Sequence, residues 1–326
     1  MGDQSTNFAK KYSQNIELLA TAMPGDFDGK VAQEFFDGAE ELYWEQLGGA
    51  AENEVNEANG QQEYRSLDHL RRMNYVQDYE LPLMLDKRHE MRTAVDFKSS
   101  YVKRTVQAFR RSKAIEIHKG AFKDAYTGKN GTTVTAFDYS NQTIAVTVGA
   151  ASGNAGLTKQ KLITARQMLK QAGYDPKDPD HKFYFVCSER ELANLLNTIS
   201  ATSRDFSAVQ ALETGERTGW LGFEFIIGEA VPYLNSSNQA HLEWVENSKG
   251  IREPVDTDST SIRACYAYAK SVIGCHTSKN FGTEAGKIER FRYNWGLYAD
   301  WSHSAVRRQE DGIVLVPCDQ SVALAV

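Results

Sequence analysis

The stretch from residue 96 to residue 120, DFKSSYVKRTVQAFRRSKAIEIHKG, predicts one long amphipathic helix. Its apolar residues recur at helical spacing and form one stripe, which contains Val102, Val106, Phe109 and Ile117. Basic residues gather on the other side, namely Lys103, Arg104, Arg110, Arg111 and His118. No proline or internal glycine interrupts the stretch, so we expect Asp96 as the N-cap and Gly120 as the C-terminal stop.

Such a helix would span roughly 35 Å, at a rise of about 1.5 Å per residue. That is long for a chain of 326 residues, and a helix of this length usually supports other elements along its sides. An ordinary two-faced helix with a solvated basic side fits the same pattern. The helix alone therefore predicts an architecture but no function.

Charge is distributed unevenly around this helix. The net charge of −6 argues against a dedicated nucleic-acid-binding protein, which would normally be basic. Residues 1–60 contain three lysines against twelve acidic residues, among them Glu40 and Glu41, whereas the helix is basic. This asymmetry indicates either that one region docks on another, in the same chain or a neighbour, or that two faces of opposite sign are simply solvated.

The segments before the helix are less regular. Residues 31–47 predict a second helix that ends at Gly48 and Gly49, and residues 50–62 predict a polar, acidic linker. Residues 63–95 show no clean period and predict two irregular strands. A polar segment of that length is costly as a loop inside a compact domain, so we expect it to find a partner elsewhere.

The segments after the helix carry clearer local signals. We expect a turn at residues 128–131, strands at 132–137 and 142–148, and a helix that begins after the N-cap Thr158 and closes at Gly173. A buried strand at 183–187 leads into a capping box formed by Ser188 and Glu191, which predicts a helix over residues 189–197. Residues 206–216 look irregular. Strands are expected at 220–228, at 287–308 and, after a turn, up to Pro317, and residues 262–276 predict a strand or a short helix.

Signatures of catalysis or metal binding are missing from the sequence. The four cysteines, Cys187, Cys265, Cys275 and Cys318, are scattered and fit neither a zinc site nor a disulfide framework, so we expect reduced thiols. The seven histidines are dispersed, and the loop with Asp256 and Asp258 lacks the calcium-binding pattern. We therefore expect no catalytic residues, no cofactor and no metal, although catalytic residues need not be close in sequence.

The order of the segments resembles the major capsid protein of tailed bacteriophages, which has the Hong Kong 97-type fold. The resemblance runs from about residue 64 to residue 319. It consists of LRRMNYV, the long helix with the following AYTGKNGTTVTAF, LTKQKLITARQMLKQAGYD, FYFVCSERELANLL, GERTGWLGFEFIIGEAVP and SAVRRQEDGIVLVPCD. No single motif is specific, and their joint order and spacing carry the resemblance.

The resemblance implies an α+β fold with four parts. They are an N-terminal arm at residues 1–62, an extended hairpin called the E-loop at 63–96, a peripheral (P) domain at 97–182 and 276–326 with the long helix as its spine, and an axial (A) domain at 183–275. The arm and the E-loop would lie over neighbouring subunits.

The resemblance also implies a function and partners. The chain would be a structural, non-enzymatic protein that assembles in the host bacterial cytoplasm into the icosahedral head of a virion, around double-stranded DNA. Its partners would be further copies of itself in hexamers and pentamers, a portal and a decoration protein. Because only about sixty residues precede the E-loop, we also expect a separate scaffolding protein. A bacterial encapsulin-like compartment is the alternative, and a soluble α/β enzyme the remote one.

Opposite charges lead to a hypothesis about contacts between subunits. Part of the acidic arm would lie near the basic side of the long helix, in the same or an adjacent subunit. The candidate contact residues are Glu40, Glu41, Arg71, Arg72, Lys103, Arg104, Arg110 and Arg111. The rival interpretation is that the basic side looks into the shell and meets DNA phosphates.

Overall fold

The fold contains sixteen strands and four α-helices in the described part of the chain. The computed structural model describes residues 25–48, 52, 64, 66–67, 69–85, 97–150, 153–199, 204–214, 218–278, 282–288, 290 and 294–321. The helices are α1 (Phe97–Phe122), α2 (Lys159–Gln171), α3 (Glu189–Thr198) and α4 (Arg204–Glu213). The strands are β1 (Ala32–Phe36), β2 (Glu41–Leu47), β3 (His69–Tyr75), β4 (Gln77–Leu85), β5 (Ala125–Thr127), β6 (Thr133–Thr135), β7 (Phe183–Cys187), β8 (Gly219–Trp220), β9 (Phe223–Ile227), β10 (Trp244–Glu246), β11 (Arg252–Pro254), β12 (Ile262–Ala269), β13 (Ile273–Ser278), β14 (Gly282–Ile288), β15 (Asn294–Arg307) and β16 (Ile313–Asp319).

The long helix is confirmed as α1, with 26 residues. Gly120 does not stop it, because the helix continues to Phe122. Gly120 serves close packing instead: a Cβ atom there would lie 2.6 Å from the carbonyl carbon of Ala305 in β15. The predicted N-cap Asp96 lies outside the described residues.

The long-strand sheet supports α1 along its length. Its strand order is β1-β13-β15-β14, and β4 pairs with β15 on the other side of the same strand. Val102 and Val106 of α1 pack on Leu297 of β15, and the Trp301 indole donates to the hydroxyl of Ser112 at 2.7 Å. Because side chains alternate along a strand, the odd-numbered residues of β15 face α1 and the even-numbered ones face away.

The hairpin sheet has the order β2-β3-β5-β6 and covers the far side of the end of β15. Trp44 of β2 packs with Ala125 and Val306, and its ring centroid lies 4.6 Å from that of His276. The predicted helix over residues 31–47 is therefore wrong. Gly38, with a φ of 67°, turns the chain between β1 and β2, and each strand pairs with a distant part of the chain.

The two strands predicted within residues 63–95 exist as β3 and β4, but they do not form a hairpin with each other. β3 pairs with β2 and β5, whereas β4 pairs with β15. The antiparallel hairpin of this region is β2–β3, and residues 48–68 connect its two strands.

The core sheet holds the largest buried cluster. Its order is β16-β12-β7-β9-β8, with β7 and β9 parallel, and α2, α3 and α4 supply buried residues to the same cluster. The predicted helix–strand–helix unit is confirmed: the Thr158 side chain accepts from the backbone N–H of Lys161, and Ser188 and Glu191 form a capping box. This sheet joins residues 183–275 to β16, which the resemblance places in the P domain.

Several further predictions needed correction. Residues 142–148 form turns with one bridge from Thr143 to Leu315, instead of a strand. Residues 204–213 form α4, because Val209 and Leu212 are buried at helical spacing. The single long strand expected at 287–308 consists of parts of two antiparallel strands, β14 and β15. No helix among the described residues is long and apolar enough to cross a membrane.

Candidate interaction surfaces

The exposed side of α1 is basic in its middle section. Lys103, Arg104 and Arg111 are exposed, and none of them forms an ion pair with a residue that the structure describes. Arg110 is partly buried instead, because the chain at Gly25 packs against it. A Cβ atom placed on Gly25 would lie 3.8 Å from the Cγ of Arg110. This surface, defined by Lys103, Arg104 and Arg111, is called the basic face below.

An acidic residue of the N-terminal region does contact α1. Asp28 accepts a hydrogen bond from the ammonium group of Lys113, which is itself largely buried. Partial burial would raise the pKa of the Asp28 carboxyl, but the hydrogen bond and charge of Lys113 outweigh it and hold that pKa below its ordinary value. The contact therefore links the chain before β1 to the helix within one subunit.

His118 does not lie on the basic side as the sequence predicted. Its ring is 2% exposed, and its Nδ1 lies 3.0 Å from the hydroxyl of Tyr266 in β12. The ring also packs edge-on against Phe27, with centroids 5.3 Å apart. Burial, with a smaller contribution from the charge of Arg263, lowers the pKa of His118 to about 3.

Buried histidines predict a loss of stability at acid pH. Burial, followed by the charge of Lys113, also lowers the pKa of His303 to about 3. The unfolded chain binds a proton at each of these histidines near pH 6.5, and the folded chain does not. Their contribution to the free energy of unfolding is therefore fully present above pH 6.5. It then falls by about 1.4 kcal/mol per pH unit for each histidine down to pH 3. His303→Phe should shift the acid-unfolding midpoint, followed by circular dichroism, to lower pH, whereas His69→Phe at an exposed position should not. Equal midpoints for wild type and His303→Phe would contradict the prediction.

The face of the long-strand sheet that points away from α1 is acidic. Its carboxylates are Asp78 and Glu80 of β4, Glu284 of β14 and Asp300 of β15, which share the even-numbered side of β15 by register. Ser302 donates to Asp78 at 2.6 Å, and Tyr298 donates to Glu80 at 3.3 Å. The pKa of the Tyr298 hydroxyl is raised, first by loss of solvent around it and then by its hydrogen bond to the Glu80 carboxylate. This surface is called the acidic face below.

The outer side of the hairpin sheet combines charge with aromatic rings. Glu41, Tyr43 and Glu45 alternate outward along β2, and Arg71 of β3 lies opposite Glu45. Arg71 binds Glu45 at 2.5 Å and lies over the Tyr43 ring at 5.1 Å. Such exposed pairs contribute under about 1 kcal/mol each, so they orient the hairpin more than they stabilise it.

Arg72 points to the inner side of the same sheet, into a buried charged cluster. Its guanidinium lies 2.8 Å from Glu310, which also accepts from Arg307 Nε at 2.5 Å. Arg307 is fully buried and donates to the carbonyls of Ala121, Lys123 and Thr135 at 3.0 to 3.2 Å. The cluster joins the end of β15 to the last carbonyls of α1 and to the hairpin sheet.

A closed ring of contacts fastens the small β10–β11 hairpin to α1 and β4. Glu116 of α1 accepts from the Tyr79 hydroxyl and, at 2.7 Å, from Lys119. Lys119 lies 5.9 Å from the ring centre of Trp244 in β10, and Arg252 of β11 lies 5.5 Å from that of Tyr79. Cation–π contacts of this kind give about 0.5 to 2 kcal/mol each.

The structure separates the eight predicted contact residues. Glu40 and Glu41 lie at the start of β2, Arg71 and Arg72 on β3, and Lys103, Arg104, Arg110 and Arg111 on α1. No ion pair among the described residues joins the two glutamates to α1; Asp28 makes the acidic contact there. The contacts of these residues with a neighbouring subunit stay predictions.

Sequence reasoning missed the two polar clusters. Arg307 and Glu310 stand in SAVRRQEDG, which reads as a polar strand end, and Trp244 stands in a hydrophilic loop. The one usable signal was the spacing from Arg307 to Glu310, which suits an ion pair in a turn. Among the described residues, no group of three or more His, Cys, Asp or Glu side chains is placed to hold a metal ion, and all four cysteines are buried.

Comparison with known proteins gives one family and one fold. A family model described as phage capsid protein matches residues 5–320. No curated protein matches the sequence at a significant level.

Similar solved structures cover most of the chain. The capsid of cyanophage Pam1 is 10% identical, with a TM-score of 0.59 and coverage of 90% of each chain. The capsid of cyanophage P-SCSP1u is 11% identical, with a TM-score of 0.57 and coverage of 90% of this chain and 88% of the other. The head of Helicobacter pylori bacteriophage KHP40 is 11% identical, with a TM-score of 0.57 and coverage of 91% and 92%. At these identities the likeness shows the α+β Hong Kong 97-type fold.

Proposed function

Because the chain belongs to the phage capsid protein family, and is thus a structural, non-enzymatic subunit of a virion shell, we propose that its shell is the icosahedral head of a tailed phage. The head would enclose a double-stranded DNA genome. The observation that carries this proposal is the family match over residues 5–320, together with a fold shared with phage capsids over about nine tenths of the chain. Neither the encapsulin alternative nor the enzyme alternative is favoured by these matches.

The subunit associates with further copies of itself in a shell, as its family membership shows. The other partners are proposals. The subunits would form hexamers and pentamers, and the shell would also contact a separate scaffolding protein, a portal and a decoration protein. Assembly would take place in the host bacterial cytoplasm. These proposals rest on membership of the family.

We further propose a division of the subunit that follows the observed sheets. The long-strand sheet with α1 would form the P domain, and the core sheet with α2, α3 and α4 would form most of the A domain. The E-loop would correspond to the β2–β3 hairpin and its connection, residues 48–68, instead of residues 63–96. Support comes from the strand pairing, because β2 and β3 are the consecutive strands that pair antiparallel before α1.

The hairpin is the best placed of the predicted contacts between subunits. Glu40 and Glu41 are exposed at its base, while Arg71 and Arg72 hold it from either side through Glu45 and Glu310. We propose that Glu40 and Glu41 contact a neighbouring subunit and that the two arginines position the hairpin for that contact. Lys103, Arg104, Arg110 and Arg111 lie on α1, outside the hairpin, and are not part of this proposed contact.

Assembly of the purified chain tests the proposed function. We expect closed shells or sheets in light scattering and electron micrographs, with scaffold supplied. Glu40→Lys with Glu41→Lys should lower the yield of shells and leave the thermal midpoint of the unassembled subunit nearly unchanged, because both side chains are exposed. Assembly that depends on such contacts should also weaken as salt rises.

A matched double variant provides the control. Asp180→Lys with Glu246→Lys makes the same charge change at two exposed positions, one shortly before β7 and one at the end of β10. If both double variants assembled like the wild type, the proposed contact would be wrong. A stable monomer under every ionic condition would contradict the proposed function itself.

A further inference from the structure

We infer that the basic face of α1 lines the interior of the shell and binds the phosphate backbone of the enclosed nucleic acid, while the acidic face of the long-strand sheet points away from it. The inference rests on the proposed function, because it needs a shell that contains DNA. It assigns a partner to three residues, Lys103, Arg104 and Arg111, and gives the subunit a direction in the shell.

The first observation is the charge balance of α1. Residues 97–122 contain seven lysines and arginines and one acidic residue, in a chain whose net charge is −6. Lys113 pairs with Asp28, and Lys119 pairs with Glu116, the one acidic residue of the helix. Lys103, Arg104 and Arg111 form no ion pair with any residue in the described ranges, so no described carboxylate neutralises their charge.

The second observation is the geometry of these three side chains. They share the exposed side of the helix with Gln107, opposite the buried Val102 and Val106. At about 1.5 Å per residue, the row from Lys103 to Arg111 is roughly 12 Å long. Duplex DNA carries about one charge per 1.7 Å of its axis, so a row of this length reaches several phosphates.

The third observation is the opposite charge of the opposite surface. Asp78, Glu80, Glu284 and Asp300 lie on the far side of the same helix-on-sheet layer, and no lysine or arginine in the described residues of β4, β14 or β15 occupies that side by register. A polyanion is repelled by this surface and attracted to the basic face. Since the two faces lie on opposite sides of one layer, only one of them can look inward, and DNA favours the basic one.

Acidic residues of a neighbouring subunit are the competing partner for the basic face. Among the described N-terminal residues, Asp28 is the carboxylate that pairs with this helix, through Lys113. The described glutamates of β1 and β2 have contacts away from α1 within the subunit: Glu34 with His276, Glu41 with Tyr43 and Glu45 with Arg71. These contacts favour DNA over a protein partner, and the experiment below separates the two.

Chemical labelling of intact wild-type particles tests the inference. Particles filled with DNA, and the same particles emptied of DNA, are treated with an amine-acetylating reagent, and the acetylated lysines are quantified by mass spectrometry. We expect labelling of Lys103 to be several-fold lower in filled than in emptied particles. Lys170, exposed on α2, provides a reference for the dose of reagent.

Neutralising variants provide the second measurement. The triple Gln variant carries Lys103→Gln, Arg104→Gln and Arg111→Gln. It should form empty shells at wild-type yield, but its filled particles should release DNA at a lower temperature than wild-type particles. Asp78→Asn with Glu80→Gln and Glu284→Gln, on the acidic face, should leave DNA release unchanged. Circular dichroism of the unassembled subunits shows whether each variant folds. If a variant does not fold, the labelling of wild-type particles alone tests the inference.

The following outcomes would overturn the inference. Strong labelling of Lys103 in both filled and emptied particles would place the basic face away from the DNA. Protection of Lys103 in both would show a protein contact, as would a folded triple Gln variant that forms no empty shells. Wild-type protein that forms no particles, or particles without nucleic acid, would contradict the proposed function and with it this inference.

Discussion

Arg307→Met is expected to lower the free energy of unfolding of the subunit by about 3 to 5 kcal/mol. Arg307 is fully buried, and its guanidinium pairs with Glu310 and donates to three backbone carbonyls. Methionine has a similar shape but no donor. The variant therefore leaves the carbonyls of Ala121, Lys123 and Thr135 without this donor and leaves Glu310 with Arg72 alone.

Urea unfolding of the unassembled subunit measures this loss as a lower midpoint. Arg307→Lys should recover part of it, because an ammonium group keeps the charge but lacks the planar fork that reaches several acceptors. Arg111→Met, on the exposed side of α1, is the matched control and should stay within about 0.5 kcal/mol of the wild type. A midpoint for Arg307→Met equal to that of the control would show that the buried cluster does not stabilise the fold.

Gly120→Ala is expected to destabilise the subunit although alanine is the better helix former. The new Cβ would lie 2.6 to 2.8 Å from three atoms of Ala305, two of them backbone atoms of a central strand that cannot move aside cheaply. Overpacking of this kind costs about 1 to 3 kcal/mol, which exceeds the gain of about 1 kcal/mol in helix propensity. Gly120→Val, with two further carbon atoms, should lose more than Gly120→Ala.

Thermal unfolding of both variants beside Gly286→Ala tests this prediction. A Cβ atom added at Gly286 would meet no other atom within 4 Å, and the φ of this residue is ordinary, so its replacement should be tolerated. A thermal midpoint for Gly120→Ala at or above that of the wild type would mean that α1 and β15 can separate at this crossing without loss of stability.

Local signals predicted α1, α2 and α3, but they missed α4 and predicted a false helix over residues 31–47. Periodicity placed α1, and the capping residues Thr158, Ser188 and Glu191 placed α2 and α3, because caps and turns depend on residues that are close in sequence. Segment order then indicated the capsid fold, which the family match confirms.

Long-range pairing explains the main errors. Residues 31–47 show a helical pattern in isolation, but Trp44 is buried against His276 and under the backbone of Gly274, more than two hundred residues later in the chain. Arg307 looks like a solvated strand end for the same reason, since its acceptors lie on α1 and β6 and in the turn after α1. His118 was assigned to the basic side because its burial depends on Tyr266. No signal near these residues reports those partners.

The pairing of early strands with late ones has a consequence for biosynthesis. β1 pairs with β13 from Ala32 to Gly274, and β4 pairs with β15 from Leu85 to Trp295. At about 5 to 20 residues per second, a ribosome needs roughly 12 to 50 s to translate the chain between Ala32 and Gly274. Until β13 and β15 have been translated, β1 and β4 lack these partners, so the long-strand sheet and the surface that supports α1 cannot be completed earlier. A nascent chain that has not yet reached β15 therefore lacks the finished subunit surface with which it would join a growing shell.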